Sequence, residues 1–226
     1  MKRLIIWLLA LSRGFYGLAQ DDIRIGLMPQ INLNYSLDAN WKVNSKTESR
    51  QIIWEGISGD GIPADYRYER TDIDVVITRK TGLFGSVGGG YMIRFQDQEI
   101  IHRFIQQYTL VQGFEGLRLG HRVRTDQTFR PEDPMEFRMR YRLSLEKPLR
   151  GNSVDPNELY LKLNNEALLS LQDGDSEWEY RLVPNLGYFF TDRNKLETGF
   201  DFRANRLFQD TQDYQFWWSV GWYYTL

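Results

Sequence analysis

The 226-residue chain has no cysteine and only two histidines, so a disulfide framework and a thiolate metal site are both excluded. Its charges nearly cancel, with 28 Lys and Arg against 30 Asp and Glu. A chain so balanced exerts no general pull on nucleic acid, and no nucleic-acid partner is expected. Long apolar runs are missing too. The run at residues 4–11 is too short to cross a bilayer, and nothing after it approaches the ~20 residues a membrane helix needs. Mean hydropathy is −0.51, as for a protein in water. Aromatic residues nevertheless make up 15% of the chain and recur near the ends of segments. That combination suits a membrane β-barrel, in which only alternate residues face lipid.

The N-terminus has a signal-peptide layout, with Lys2 and Arg3 ahead of the apolar run and small residues at Gly17 and Ala19. Cleavage is expected before Gln20, leaving residues 20–226 as one domain. No Cys follows the run, which excludes the lipoprotein route. A buried N-terminal helix is the alternative use of this segment.

Period-two alternation runs through the rest. It is clearest at residues 135–146, where Phe137, Met139, Tyr141, Leu143 and Leu145 alternate with Glu136, Arg138, Arg140, Arg142, Ser144 and Glu146. A strand puts all those arginines on one face, whereas a helix would scatter them. The same alternation predicts strands at 25–37, 41–54, 66–78, 83–95, 100–111, 117–129, 159–171, 178–190, 196–208 and 214–226. Tight turns are expected at 38–40, 80–82 and 192–194, and longer polar loops at 55–65, 130–134, 173–177 and 209–213. Short turns at one end and long loops at the other mark an outer-membrane barrel, although the connection at 148–157 is long where a short one belongs. The segments number eleven, whereas single-chain bacterial barrels have an even count. One assignment is therefore expected to be wrong, and the first is the weakest because Pro29 cannot donate to a ladder. The expectation is an all-β, antiparallel, up-and-down transmembrane barrel of about 10–12 strands.

Alternation does not say which face is inside, since a soluble barrel hides its apolar face. The polar face carries Lys42, Lys46, Glu48 and Arg50, then Arg70, Asp72 and Asp74, then Arg103, then Arg118, Arg122, Arg124 and Asp126, then Arg138, Arg140 and Arg142, and Glu166. Such a mixture can neutralise itself as a charge network in a lumen. The last strand alternates Phe216, Trp218, Val220, Trp222, Tyr224 and Leu226 to the end. It resembles the aromatic closing strand read by the outer-membrane insertion machinery, with Leu226 where a terminal Phe is usual. Lipid and that machinery are the expected partners of a monomer in the outer membrane of a Gram-negative bacterium. Long side chains would leave such a small barrel plugged or very narrow.

Two segments carry a family resemblance: His102-Arg103-Phe104-Ile105-Gln106-Gln107, and His121-Arg122-Val123-Arg124-Thr125-Asp126-Gln127. With Tyr68–Asp72, Arg138–Leu143 and Asn165-Glu166, they resemble the bacterial family known as domain of unknown function 2490. The resemblance covers nearly all of the mature chain and implies an outer-membrane barrel of uncharacterised function, without catalytic residues.

Enzymatic motifs are scarce. There is no Gly-x-Ser-x-Gly elbow and no His-Glu-x-x-His pair. A Ser–His pair would need His121 with Ser86 or Ser144, yet alternation puts His121 on the apolar face and both serines on the polar one. The histidines are better read as supporting aromatic girdles and interstrand hydrogen bonds. Gly85, Gly88, Gly89 and Gly90 lack the following Lys-Ser/Thr of a phosphate loop, and in a strand they permit curvature or close packing. No cofactor is expected. A lipid-modifying outer-membrane enzyme and a soluble periplasmic ligand-binding barrel remain the alternatives.

Overall fold

The computed structural model describes residues 22–57, 66–209 and 211–226. The expected leader at 1–19 lies outside the described residues. Those residues form one closed barrel of eleven strands and no helix: β1 (Asp22–Ser36), β2 (Trp41–Ile57), β3 (Arg67–Lys80), β4 (Gly85–Gln96), β5 (Glu99–Phe114), β6 (Leu117–Phe129), β7 (Glu136–Pro148), β8 (Glu158–Gln172), β9 (Asp175–Thr191), β10 (Asn194–Leu207) and β11 (Asp213–Thr225).

Every predicted segment is a strand, so the expectation that one of the eleven is wrong is corrected. Strands that alternate in direction leave the eleventh running with the first, and an odd barrel must close through one parallel pair. Here β1 and β11 pair in parallel from Asp22↔Asp213 to Asn34↔Thr225. Hydrogen bonds from Asp22 N to Gln212 O (3.2 Å) and from Leu226 N to Asn34 O (2.9 Å) finish the seam at its two ends. Pro29 is accommodated locally. Leu27 pairs with Gln51 and Gln30 with Glu48, while Met28 and Pro29 have no register partner on β2. The missing donor interrupts one ladder for a step and leaves the strand intact.

Among the fully described connections, the Asp22 end carries 97–98, 130–135 and 173–174, and the Leu226 end carries 37–40, 81–84, 115–116, 149–157 and 192–193; the expected loops at 55–65 and 209–213 lie in whole or in part outside the described residues. The expected asymmetry is only partial. Two-residue turns at Asp97 and Gln98 (φ 50° and 67°) and at Asp173 and Gly174 (φ 49° and 87°) sit at the same end as the longer 130–135 loop. Positive φ at both positions matches the right-handed strand twist. The predicted loop at 173–177 is thus corrected to a tight turn, with Asp175 already in β9. At the other end the Asp38 carboxylate accepts the backbone N–H groups of Asn40 (2.6 Å) and Trp41 (2.8 Å). These two bonds hold its pKa below the ordinary Asp value.

Burial is inverted relative to a protein core in water. Asp126 and Glu166 are 0% and 1% exposed inside the bore, whereas Phe200, Trp218 and Met139 are 63%, 52% and 50% exposed outside it. Two small apolar clusters also lie inside, Met28 with Ile52 and Trp217, and Val76 with Met92 and Ile105. Large rings enter the bore where glycine faces them. Trp217 is paired with Gly26 and Tyr160 with Gly187, and a Cβ would lie 2.4 Å from the first ring and 2.2 Å from the second. Gly88 and Gly90 bring β4 close to β3, where added Cβ atoms would sit 2.8 and 2.6 Å from the carbonyl oxygens of Ile77 and Val75.

Candidate functional site

Residues two apart on a strand share a face, and this spacing alone makes several inward ion pairs. Arg50 donates to Glu48 (Nη2–Oε1 2.7 Å), Arg124 to Asp126 (Nε–Oδ1 2.8 Å) and Arg203 to Asp201 (Nη2–Oδ2 2.7 Å). Lys46 reaches Glu48 at 3.1 Å and Asp74 at 3.6 Å.

The register supplies the rest. Asp72 stands opposite Arg94 and accepts two parallel bonds of 2.7 and 2.8 Å, the fork geometry that suits guanidinium to carboxylate. Arg122 faces Arg142, and Arg124 faces Arg140, across β6 and β7. Like charges so placed repel, and two buried acids offset them. Asp126 binds Arg140 (2.5 Å), Arg124 (2.8 Å) and Arg138 (3.4 Å). Glu166 lies between its register partners Arg142 and Arg181, and binds them at 2.7 and 3.3 Å. Arg122 at 3.5 Å and Arg140 at 3.8 Å complete its shell. Arg181 is held from its other side by Glu179.

Together these groups form a belt across the middle of the bore, closed on one wall by Trp217, which Arg50 overlies at 5.3 Å. Nearer the Leu226 end, Glu197 binds Lys162 (2.8 Å) and the Tyr160 hydroxyl (2.7 Å). Above the belt lies a cavity of about 530 Å³ whose lining extends toward that end through Asn32, Thr109, Arg118, Glu146 and Lys195.

Most of the charges singled out from sequence meet in this network, but they are not equivalent. Lys42 is exposed at the rim, and Arg118, with 60% of its side chain exposed, reaches Glu146 only at 3.6 Å. Arg103 is buried against the Thr128 hydroxyl (2.8 Å) and the Met92 sulfur. Among the described residues neither Arg70 nor Arg103 has a carboxylate within ion-pair distance, and Arg70 Nε has no acceptor. Sequence reasoning passed over Arg94, Lys162, Glu179, Arg181, Glu197, Asp201 and Arg203. The same alternation could have found them, since Asp201 and Arg203 interleave with Phe200 and Phe202 as the chosen residues do with theirs.

The outer wall carries both histidines. His102 Nδ1 lies 2.5 Å from the Tyr91 hydroxyl and His121 Nδ1 2.7 Å from that of Tyr141. Ser144 lines the cavity and donates to Asn164 (2.7 Å). The His121 ring turns outward to Tyr141 while the Ser144 hydroxyl turns inward to Asn164, so the two side chains leave opposite faces of the wall and cannot form a nucleophile–base pair. Gln106, Thr125 and Gln127 form a closed set of outward hydrogen bonds. Among the described residues no three His, Asp or Glu side chains converge as a metal ion would require.

No curated protein and no solved structure matches the chain. A family model does match, over residues 26–214, from within β1 to the start of β11. Since that match spans ten of the eleven strands, all but the closing strand β11, the chain belongs to the family described as "Protein of unknown function (DUF2490)".

Proposed function

We propose that the protein is an outer-membrane β-barrel whose charged belt closes the bore at mid-height, so that it serves the envelope without acting as an open pore. The single observation that carries this reading is the inversion of faces. Carboxylates and guanidiniums are buried inside, while Phe104, Met139, Phe200 and Trp218 are half or more exposed around the outside. A continuous exposed apolar surface of that kind is a liability in water and a requirement in lipid. The signal layout and the aromatic alternation of β11 support the same reading, with lipid and the insertion machinery as partners.

Cell fractionation and planar-bilayer recording test it. The protein is expected in the outer-membrane fraction, with reconstituted protein giving no steady conductance, because moving an ion past the belt means separating paired buried charges. Recovery of the protein in the soluble periplasm would overturn the membrane assignment in favour of a soluble ligand-binding barrel. Large, steady channels would overturn the closed bore and make it a porin. Turnover of phospholipid or lipopolysaccharide would make it an enzyme.

A further inference from the structure

The cavity above the belt is strongly basic. Fifteen Lys and Arg side chains line it against six Asp and Glu. Adding Asp126 and Glu166, which the arginines bind from behind, still leaves a clear excess of positive charge. Six lining arginines each retain one buried guanidinium nitrogen with no acceptor: Arg50 Nη1, Arg70 Nε, Arg103 Nη2, Arg122 Nε, Arg138 Nε and Arg140 Nε. Four of the six residues, Arg50, Arg103, Arg138 and Arg140, are 3–8% exposed. A donor left unmatched at such depth is costly, and like charges repel more strongly in a low dielectric. Both costs fall when an anion with several acceptor oxygens enters.

We propose that this cavity is a binding site for a compact polyvalent oxyanion of the phosphate or phosphate-ester class. Guanidinium forks match such oxygens two at a time. The volume of about 530 Å³ lies within the range of small-molecule sites. The lining reaches solvent at the Leu226 end, and none of the acids near the Asp22 end, such as Glu69 or Glu179, belongs to it. Selection for anions is built in by that division of charge. The site stands on the lumen geometry and holds whichever compartment houses the barrel.

Calorimetric titration of the full-length folded protein with pyrophosphate tests this. Saturable binding near one per chain is expected, weakening as salt rises. Arg122→Gln combined with Arg142→Gln should weaken it roughly tenfold or more. Arg67→Gln, at the opposite end with 51% of its side chain exposed, should leave it unchanged. If the double variant does not fold, Arg122→Gln alone serves, since Glu166 keeps three arginines. A parallel titration with short-chain phosphatidic acid separates the two sources. Tighter binding of the lipid with the same arginine dependence assigns the site to a lipid headgroup, and preference for pyrophosphate assigns it to a free solute. Absence of saturable binding of both probes, or binding indifferent to the arginine substitutions, would overturn the proposal.

Discussion

Glu166 is the side chain on which the belt depends most, and Glu166→Gln is the sharpest test of the network. The substitution keeps the shape and removes the charge. Arg122 and Arg142 have no other carboxylate within 4.0 Å among the described residues, so both lose their ion-pair partner. Arg140 keeps Asp126 at 2.5 Å, and Arg181 keeps Glu179. The loss is therefore not four pairs. It is two part-buried arginines, Arg142 and Arg122, left without a carboxylate, with the other two arginines still held. Breaking a fully buried pair by removing one partner costs about 3–5 kcal/mol, and because the Arg142 and Arg122 side chains are 29% and 24% exposed the expected loss lies at the lower end of that range. Arg142→Gln should cost less, about 1.5–3 kcal/mol for one charged hydrogen bond, because Glu166 retains three arginines. Joining the two substitutions should recover part of the sum, a coupling of roughly 0.5–3 kcal/mol. Urea titration of the protein folded into vesicles, followed by tryptophan fluorescence, measures all three. A Glu166→Gln loss below about 1 kcal/mol, or strict additivity in the double variant, would show that water screens the belt.

Gly187→Ala would put a methyl 2.2 Å from the Tyr160 ring, which Glu197 holds in place; a loss of roughly 1–3 kcal/mol is expected. Gly82→Ala, with nothing within 4 Å, should leave the same urea midpoint unmoved. Met139→Arg puts a charge on the outer wall and should cost roughly 2–4 kcal/mol in a bilayer. In this Cys-free chain, single cysteines at Met139, Tyr141 and Leu143 should be quenched by lipid-borne probes and one at Ser144 should not; equal quenching at both sets would reverse the faces. The depressed Asp38 pKa means that its bonds contribute above the unfolded Asp value near 3.9 and are lost as pH falls through the lower folded value. Protection of the Asn40 and Trp41 amides, taken relative to the intrinsic exchange rate at each pH, should fall on that acidification, and should already be lost in Asp38→Ala at neutral pH.

The fold was legible because most strands set a polar or charged face against an apolar one, so alternation located all eleven strands without any long-range information. The strand count failed on a rule about whole barrels: parity is a property of closure, and the parallel β1–β11 seam has no local signal. Pro29 misled because its ladder fault is confined to two residues of β1. The inner apolar clusters were missed where two apolar residues adjoin, as at Phe104-Ile105 and Val75-Val76, because one of each pair must then face the bore. The register that brings Arg142 and Arg181 to Glu166 was out of reach, since a period of two fixes the face of a residue and not its height.

Height also ties the belt to the cavity above it. Glu166 occupies guanidinium groups that an entering oxyanion would otherwise use, so protein carboxylate and ligand compete for Arg122 and Arg142. Glu166→Gln should therefore lower stability and tighten pyrophosphate binding together, opposite in sign to the loss expected from Arg122→Gln. Linkage makes the second effect visible through the first, because a ligand that binds only the folded state raises stability by RT ln(1 + [L]/Kd). At one pyrophosphate concentration the urea midpoint of Glu166→Gln should rise further than that of the unsubstituted protein, and should approach it as the anion replaces the missing charge. Equal shifts in the two proteins would mean that the anion sits away from Glu166, and no shift in either would remove the cavity as its site.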